Sequence, residues 1–272
     1  MNYYQLYALA GLAGLMLATT ARADIIVTYA GQPGAVNSTL QNAQVDTFSG
    51  LSSGQYSNQP WTGTGTSAWK TIGTINLVFL QNADQYGGAT YPSVYPEASE
   101  SIGGAEAVPV TTLTLTTASS YFGLWWSAGD PANELSFYKG GVLEAQYTTA
   151  QLLGQLSGAY FGNPTVQFKG QDAAEGFAFL NFYGTAGASW DKIVLSNLGS
   201  SGFESDDWTS RVEPWGADPG ETGSLPGIQV SDVQLVSTPE PGILALSGLG
   251  MALVYGAGAF QRSRRPAAAA KA

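Results

Sequence analysis

The chain contains no cysteine and no histidine among its 272 residues. Without cysteine there is neither a disulfide framework nor a thiol nucleophile. Without histidine the usual general base near neutral pH and the commonest zinc ligand are both missing. Serine–histidine triads and histidine-based metal sites are therefore excluded. Charge is scarce as well: charged residues make up 11% of the chain, with ten basic side chains against twenty acidic ones. Half of the basic residues lie near the termini, Arg22 at one end and Arg262, Arg264, Arg265 and Lys271 at the other. Between them only Lys70, Lys139, Lys169, Lys192 and Arg211 face nineteen acids once Glu240 is set aside, a balance of about −14. Such a surface repels phosphate backbones and excludes nucleic acid as a partner. It suits solubility outside a cell or the binding of divalent cations.

Against that background the two ends stand out. Leu6 to Ala18 is an uninterrupted apolar run, followed by Ala21-Arg22-Ala23 with small residues at the two positions a signal peptidase reads. Residues 1–23 are thus expected to be a cleaved signal peptide for the general secretory machinery, with the mature chain starting at Asp24. At the other end, Ser237-Thr238 leads into Pro239-Glu240-Pro241, then Gly242 to Phe260 without a single charge, then Arg262, Arg264 and Arg265. The apolar run is about as long as a helix needs to cross a hydrocarbon core of ~30 Å. Arginines on one side only would hold that side in the cytoplasm and leave everything upstream outside. The two prolines keep the tripeptide extended, the form a protease cleft can hold.

This order of motif, span and basic cluster over residues 237–265 resembles the PEP-CTERM sorting signal of Gram-negative bacteria. The resemblance implies recognition of Pro239, Glu240 and Pro241 by an exosortase, a membrane-embedded cysteine protease. It further implies transient residence of Gly242–Phe260 in the inner membrane and arrest of transfer by Arg262, Arg264 and Arg265. Residues 266–272 read as a disordered tail.

Residues 24–236 read as one all-β domain, a jelly-roll-like β-sandwich with one short helix. Short β-branched or aromatic runs recur between turn signals: Asp24 to Tyr29, Thr74 to Leu80, Val110 to Thr116, Trp190 to Leu195 and Ile228 to Val236. Leu113 and Leu115 alternate with threonine, so one face of that strand is expected to be buried. Tyr121 to Trp126 and Phe177 to Tyr183 are apolar on both faces, as central strands are. Leu135 to Tyr147 predicts a hairpin turning at Gly140-Gly141, where glycine supplies the positive φ a tight turn demands. Thr148 to Leu156 predicts a short helix capped by Thr148 or Thr149, with Leu152, Leu153 and Leu156 facing inward. Gly31 to Gly65 is expected to be loop with one strand near Val45 to Phe48. Ala83 to Pro109 and Gly216 to Gly227 are expected to be irregular.

The succession Tyr121–Asp130, Leu135–Tyr147, Phe177–Gly184, Trp190–Asn197 and Gly202–Trp208 is similar to a family of exosortase-dependent surface proteins. Its members share the secreted domain and the sorting tail, and Asp207 stands where asparagine is more usual. The resemblance transfers no activity.

Glu204, Asp206 and Asp207 cluster beside Trp208, and Asp130, Asn133 and Glu134 form a second acidic group ahead of the hairpin. Calcium takes about six to eight oxygen ligands, so a calcium ion on Glu204, Asp206 and Asp207 is one reading. Solvated turn formers are the other, since neither group has the spacing of a defined calcium loop. No other cofactor is indicated. Tyr86, Tyr91, Tyr95, Trp61, Trp69, Trp208 and Trp215 fall in expected loops, where a ring can stack on a sugar face. Trp208 and Trp215 are the glycan contacts this pattern suggests. Trp125, Trp126, Phe179 and Phe182 read as core. A pair such as Glu204 and Asp206 would serve glycoside hydrolysis only at a set separation, and the chain is read as no enzyme. The expected role is structural or adhesive, at the cell surface or in an extracellular polysaccharide or biofilm matrix. A carbohydrate-binding module, with or without calcium, is the alternative.

Overall fold

The computed structural model describes residues 24–63, 70–99, 108–199 and 201–231. The expected signal peptide (residues 1–23), Trp69, the expected sorting motif, the apolar run and the arginine cluster lie outside the described residues. Among the described residues no helix is long and apolar enough to cross a membrane. Among the described residues thirteen strands form one antiparallel sheet that curls on itself. In chain order they are β1 (Asp24–Tyr29), β2 (Gln44–Asp46), β3 (Gly54–Gly63), β4 (Lys70–Asn82), β5 (Val94–Ala98), β6 (Val110–Ser119) and β7 (Tyr121–Ser127). Then follow β8 (Asn133–Lys139), β9 (Val142–Thr148), β10 (Ala178–Thr185), β11 (Trp190–Asn197), β12 (Phe203–Arg211) and β13 (Ile228–Gln229). The order across the sheet is β13-β1-β10-β7-β12-β5-β4-β6-β11-β8-β9, with β2 paired to β12 and β3 to β4.

The curl is visible in ring contacts between strands far apart in that order. Phe137 on β8 packs against Phe182 on β10 at 5.1 Å and Phe122 on β7 at 6.0 Å between centroids. Trp190 on β11 joins Phe137 at 4.7 Å, and Trp61 on β3 meets Phe122 at 6.3 Å. One sheet face thus encloses a continuous apolar core. On β6, Leu113 and Leu115 are buried while Thr114 is exposed, the alternation expected of a one-sided strand. β7 is buried along its whole length because its other face is roofed too. There Trp125 packs with Phe177, Phe179 and Ala89, and Tyr121 packs with Tyr183, Leu40 and Trp215. Those roofing residues come from loops as well as strands, which places ordered loops directly over β7 and β10.

The hairpin between β8 and β9 turns at Gly140 and Gly141, with φ of 57° and 83°. The helix α1 (Thr149–Leu152) starts at Thr148, whose N–H donates to Gln151 Oε1 at 2.8 Å. It tightens to a 3₁₀ turn over Leu153–Gln155 and buries Leu152, Leu153 and Leu156.

Several strands depart from the sequence expectation. In the expected loop Gly31–Gly65 the strand near Val45 is Gln44–Asp46, and Phe48 sits in a turn at φ 53°. β3 follows it, ten mostly polar residues with Trp61 as the buried exception, lying along β4. It belongs to the sheet rim, where Pro60 loses no needed N–H. β5 lies in the expected irregular stretch Ala83–Pro109 and carries Pro96, yet all five of its residues are buried. β12 was expected to be turn-like because of its acids; all nine of its residues are buried between β7 and β5. β13 covers only Ile228–Gln229 of the expected run Ile228 to Val236, and residues 232–236 lie outside the described residues.

Candidate functional site

β12 positions the site. In register Glu204 lies between Glu97 of β5 and Ser127 of β7, so these side chains share one sheet face. Loops bring further acids to Glu97 and Glu204: Asp84 from the β4–β5 connection, Asp130 from the β7–β8 turn, and Glu175 from the approach to β10. Together they line an open cleft of about 400 Å³ with no lysine or arginine in its wall among the described residues. Ser201 and Gly202 complete one side, Tyr86 and Tyr95 another.

The loop that carries Asp84 is held firmly. Asp84 Oδ1 accepts the N–H groups of Tyr86 at 2.9 Å and Gly87 at 3.2 Å. It also accepts the Tyr95 hydroxyl at 3.1 Å. The buried Asn163 amide donates to Gln85 O at 2.8 Å. Gly202 has no side chain to separate the acids beside it. A Cβ there would overlap the Glu204 carboxyl and stand 3.1 Å from Glu97 Oε1.

Every carboxyl in this wall whose titration departs from the ordinary is shifted upward. Burial raises Glu204 well above the usual range, and Glu97 adds repulsion. Burial and then Asp84 push Glu97 up to about 7. Burial, Asp130 and Asp172 push Glu175 up to about 7. Burial raises Asp130 too, against a hydrogen bond with Ser201. Neither Glu204 Oε2 nor Glu175 Oε2 has a hydrogen-bond partner, although both atoms are buried. Such a wall can take up protons, hold a cation, or accept hydrogen bonds from a hydroxyl-rich ligand.

The expected calcium set Glu204, Asp206 and Asp207 is not one site. Asp206 accepts the N–H groups of Ala89 at 2.9 Å and Asp207 at 2.8 Å, which ties it to the loop roof. A bulge against β7 sets Asp207 at φ +50°, where Asp46 is the charge that acts on it. Only Glu204 reaches the acidic cleft. It meets Asp130 there, one member from each acidic group seen in the sequence. Asn133 instead pairs its buried amide with Asn197.

Trp208 offers no face to a sugar. It is fully buried, edge-on to Phe48 at 5.0 Å, and donates Nε1–H to Ser205 Oγ. Trp215 is half-buried against Tyr183. Trp61 and Tyr95 are likewise buried in strands. Of the expected loop aromatics, Tyr86 and Tyr91 are the exposed ones among the described residues. Glu97, Asp84 and Glu175 were not among the sequence candidates; they are scattered singly, and only the fold collects them.

No known family model matches the chain and no curated protein matches it. The class is thus set by the fold, an all-β domain of one curled antiparallel sheet with a short helix.

Proposed function

We propose that this chain is an exported surface protein that an exosortase processes. In this reading signal peptidase removes residues 1–23 by cleavage after Ala23, with Ala21 in its second recognition position. The sorting signal then parks the protein in the inner membrane until Pro239-Glu240-Pro241 is recognised. The single observation that carries the reading is the order of that tripeptide, the uncharged run Gly242–Phe260 and the cluster Arg262, Arg264 and Arg265. We assign the domain 24–236 to a jelly-roll-like β-sandwich. The cross-sheet ring contacts of Phe137 with Phe122 and Phe182 support two packed layers. Its role is structural or adhesive in an extracellular polysaccharide or biofilm matrix, with no catalytic step assigned.

Intact mass and localisation test the sorting. A form that starts at Asp24, ends near Pro241, and reaches the outside only when the exosortase is present is expected. A full tail retained in the inner membrane with or without the exosortase overturns the reading.

A second reading, a carbohydrate-binding module, draws support from two tyrosines. Tyr91 is 57% exposed and stacks edge-on with Phe168, and Tyr86 is 42% exposed at the acidic cleft. These, rather than Trp208 or Trp215, are the rings available to a sugar. Retention of the protein on matrix polysaccharide, lost in Tyr86→Ala with Tyr91→Ala, is the expected outcome for that reading. Failure to bind any matrix polysaccharide excludes it.

A further inference from the structure

The strongest unassigned feature is the chemistry of the cleft beside β12. Five carboxylates from five separate segments face one space, and among the described residues no basic side chain lines it. Clustering alone would mean little, but Glu204 adds an independent demand. It is only 6% exposed, lines the cleft, and leaves Oε2 with no hydrogen-bond partner. A buried carboxylate without a partner is costly. Directly across the sheet stands Glu97, and like charges in directly opposed positions destabilise a strand pair. Gly202, by lacking a Cβ, leaves both carboxyl groups side by side instead of screening one from the other. Glu175 turns a second unpartnered oxygen to the same wall.

We propose that this cleft binds a divalent cation, calcium, between Glu204 and Glu97 of the sheet and Asp84, Asp130 and Glu175 of the surrounding loops. The ligand chemistry selects the ion. With no histidine or cysteine in the chain, zinc and the softer metals lose their preferred donors. Among the described residues no three acidic groups already stand at metal-ligating spacing. The ion must therefore accept an irregular shell, draw the loop acids inward and complete its coordination with water. Calcium does so with about six to eight oxygens at flexible angles, whereas magnesium demands near-octahedral geometry. A site assembled from loops by the ion itself belongs to the weaker class, with dissociation constants of roughly 0.1–1 mM. Binding would also fasten the β4–β5 connection, the β7–β8 turn and the approach to β10 onto β12. The inference does not depend on the sorting proposal, since it concerns the folded domain alone.

The test uses the full chain in mild detergent, with calcium, magnesium and terbium chlorides as probes. Tyr86 and Tyr95 lie in the cleft wall and can sensitise terbium emission. Expected are terbium emission displaced by calcium and a rise in Tm as calcium is added. Glu204→Gln and Glu97→Gln should each weaken calcium at least about tenfold, as expected on removing a charged ligand from a site of this class. Glu144→Gln, on β9 away from the cleft, should leave binding unchanged. Should Glu204→Gln fail to fold, Glu97→Gln and Asp130→Asn read the same site. A folded wild type with no calcium-dependent change in Tm and no displaceable emission up to ~10 mM overturns the proposal, being beyond the weakest class of such sites. Retained affinity in the folded variants overturns the location, and equal affinity for magnesium overturns the choice of ion.

Discussion

Glu204 on β12 and Glu97 on β5 are paired directly across an antiparallel ladder, both buried, over a glycine that leaves their carboxyl groups adjacent. Such a pair does not stabilise the sheet that carries it. It ties the behaviour of the fold to whatever neutralises the two groups, whether protons or a cation.

Protons give the first prediction. Glu97 and Glu175 are raised from 4.5 to about 7, Asp207 from 3.8 to about 7, and Asp46 from 3.8 to about 6. Between the ordinary carboxylate values and these raised ones, the folded chain holds more protons than the unfolded chain. Stability therefore falls as pH rises through that window and levels off above it. In EDTA, Tm at pH 5 is expected to exceed Tm at pH 8 by on the order of 10 °C, the sum of four shifts worth roughly 1 kcal/mol each at about 2–4 °C per kcal/mol. A flat or rising profile from pH 5 to 8 would contradict the burial of these acids.

Asp207 provides the second. Its φ of +50° is a conformation that asparagine also tolerates, and its carboxyl is pushed up by burial and by Asp46. Asp207→Asn keeps the bulge and removes the charge. At pH 8 a gain of about 2–4 °C in Tm is expected, equivalent to ~1 kcal/mol. At pH 5 the wild-type group is already protonated, so the gain should vanish. Asp207→Val should destabilise at both pH values, because a β-branched side chain is strained at positive φ. Equal gains for Asp207→Asn at pH 5 and pH 8 would show that charge is not the cause.

The third separates geometry from charge in the cleft. Gly202→Ala adds one methyl where the Glu204 carboxyl now lies and leaves every acid in place. Glu204 must move aside, so calcium affinity is expected to fall although net charge is unchanged. Calcium titration followed by terbium displacement reads this directly. Unchanged affinity would mean that Glu204 does not ligate from its present position.

Much of the scaffold was legible in the chain because its signals are local. β1 spans Asp24–Tyr29 as its apolar run predicted, and the hairpin turns on two glycines of positive φ. Thr148 precedes the helix it was expected to cap. What escaped was set by neighbours. β3 is mostly polar and becomes a strand by lying along β4, while β5 holds a proline and is buried from both sides. β12 carries three acids in sequence positions that suit a turn, yet sits in the middle of the sheet. The site shows the same division. Glu204 and Asp130 were both visible as acids, but in separate groups. Glu97, Asp84 and Glu175 were lone residues whose meeting depends on register and loop closure.

Arg211 supports the last prediction. It ends β12, is only 2% exposed, and all its donors are engaged. Nη1 reaches Asp218 Oδ2 at 3.0 Å, Glu221 Oε1 and Gln41 O, while Nη2 reaches Glu221 Oε2 at 3.0 Å and Pro214 O at 2.7 Å. Nε donates to Glu213 O at 2.9 Å. One guanidinium thus folds the following segment back onto the sheet end. Arg211→Met leaves Glu221, whose side chain is only 6% exposed in this pair, without its cation, for an expected loss of about 3 kcal/mol. Arg211→Lys should recover little, since an ammonium cannot reproduce the planar fork. Adding Glu221→Gln to Arg211→Met should restore part of the loss by removing the stranded charge. The pH response has the opposite sign to that of the cleft. Arg211 holds Glu221 below the ordinary 4.5, so its contribution is present above that value and is lost as pH falls through the lowered one. Arg211→Met should therefore lose less stability than wild type on going from pH 5 to pH 3. Urea midpoints of the single and double variants at both pH values decide the matter, and a wild-type midpoint for Arg211→Lys would show that the fork geometry is dispensable.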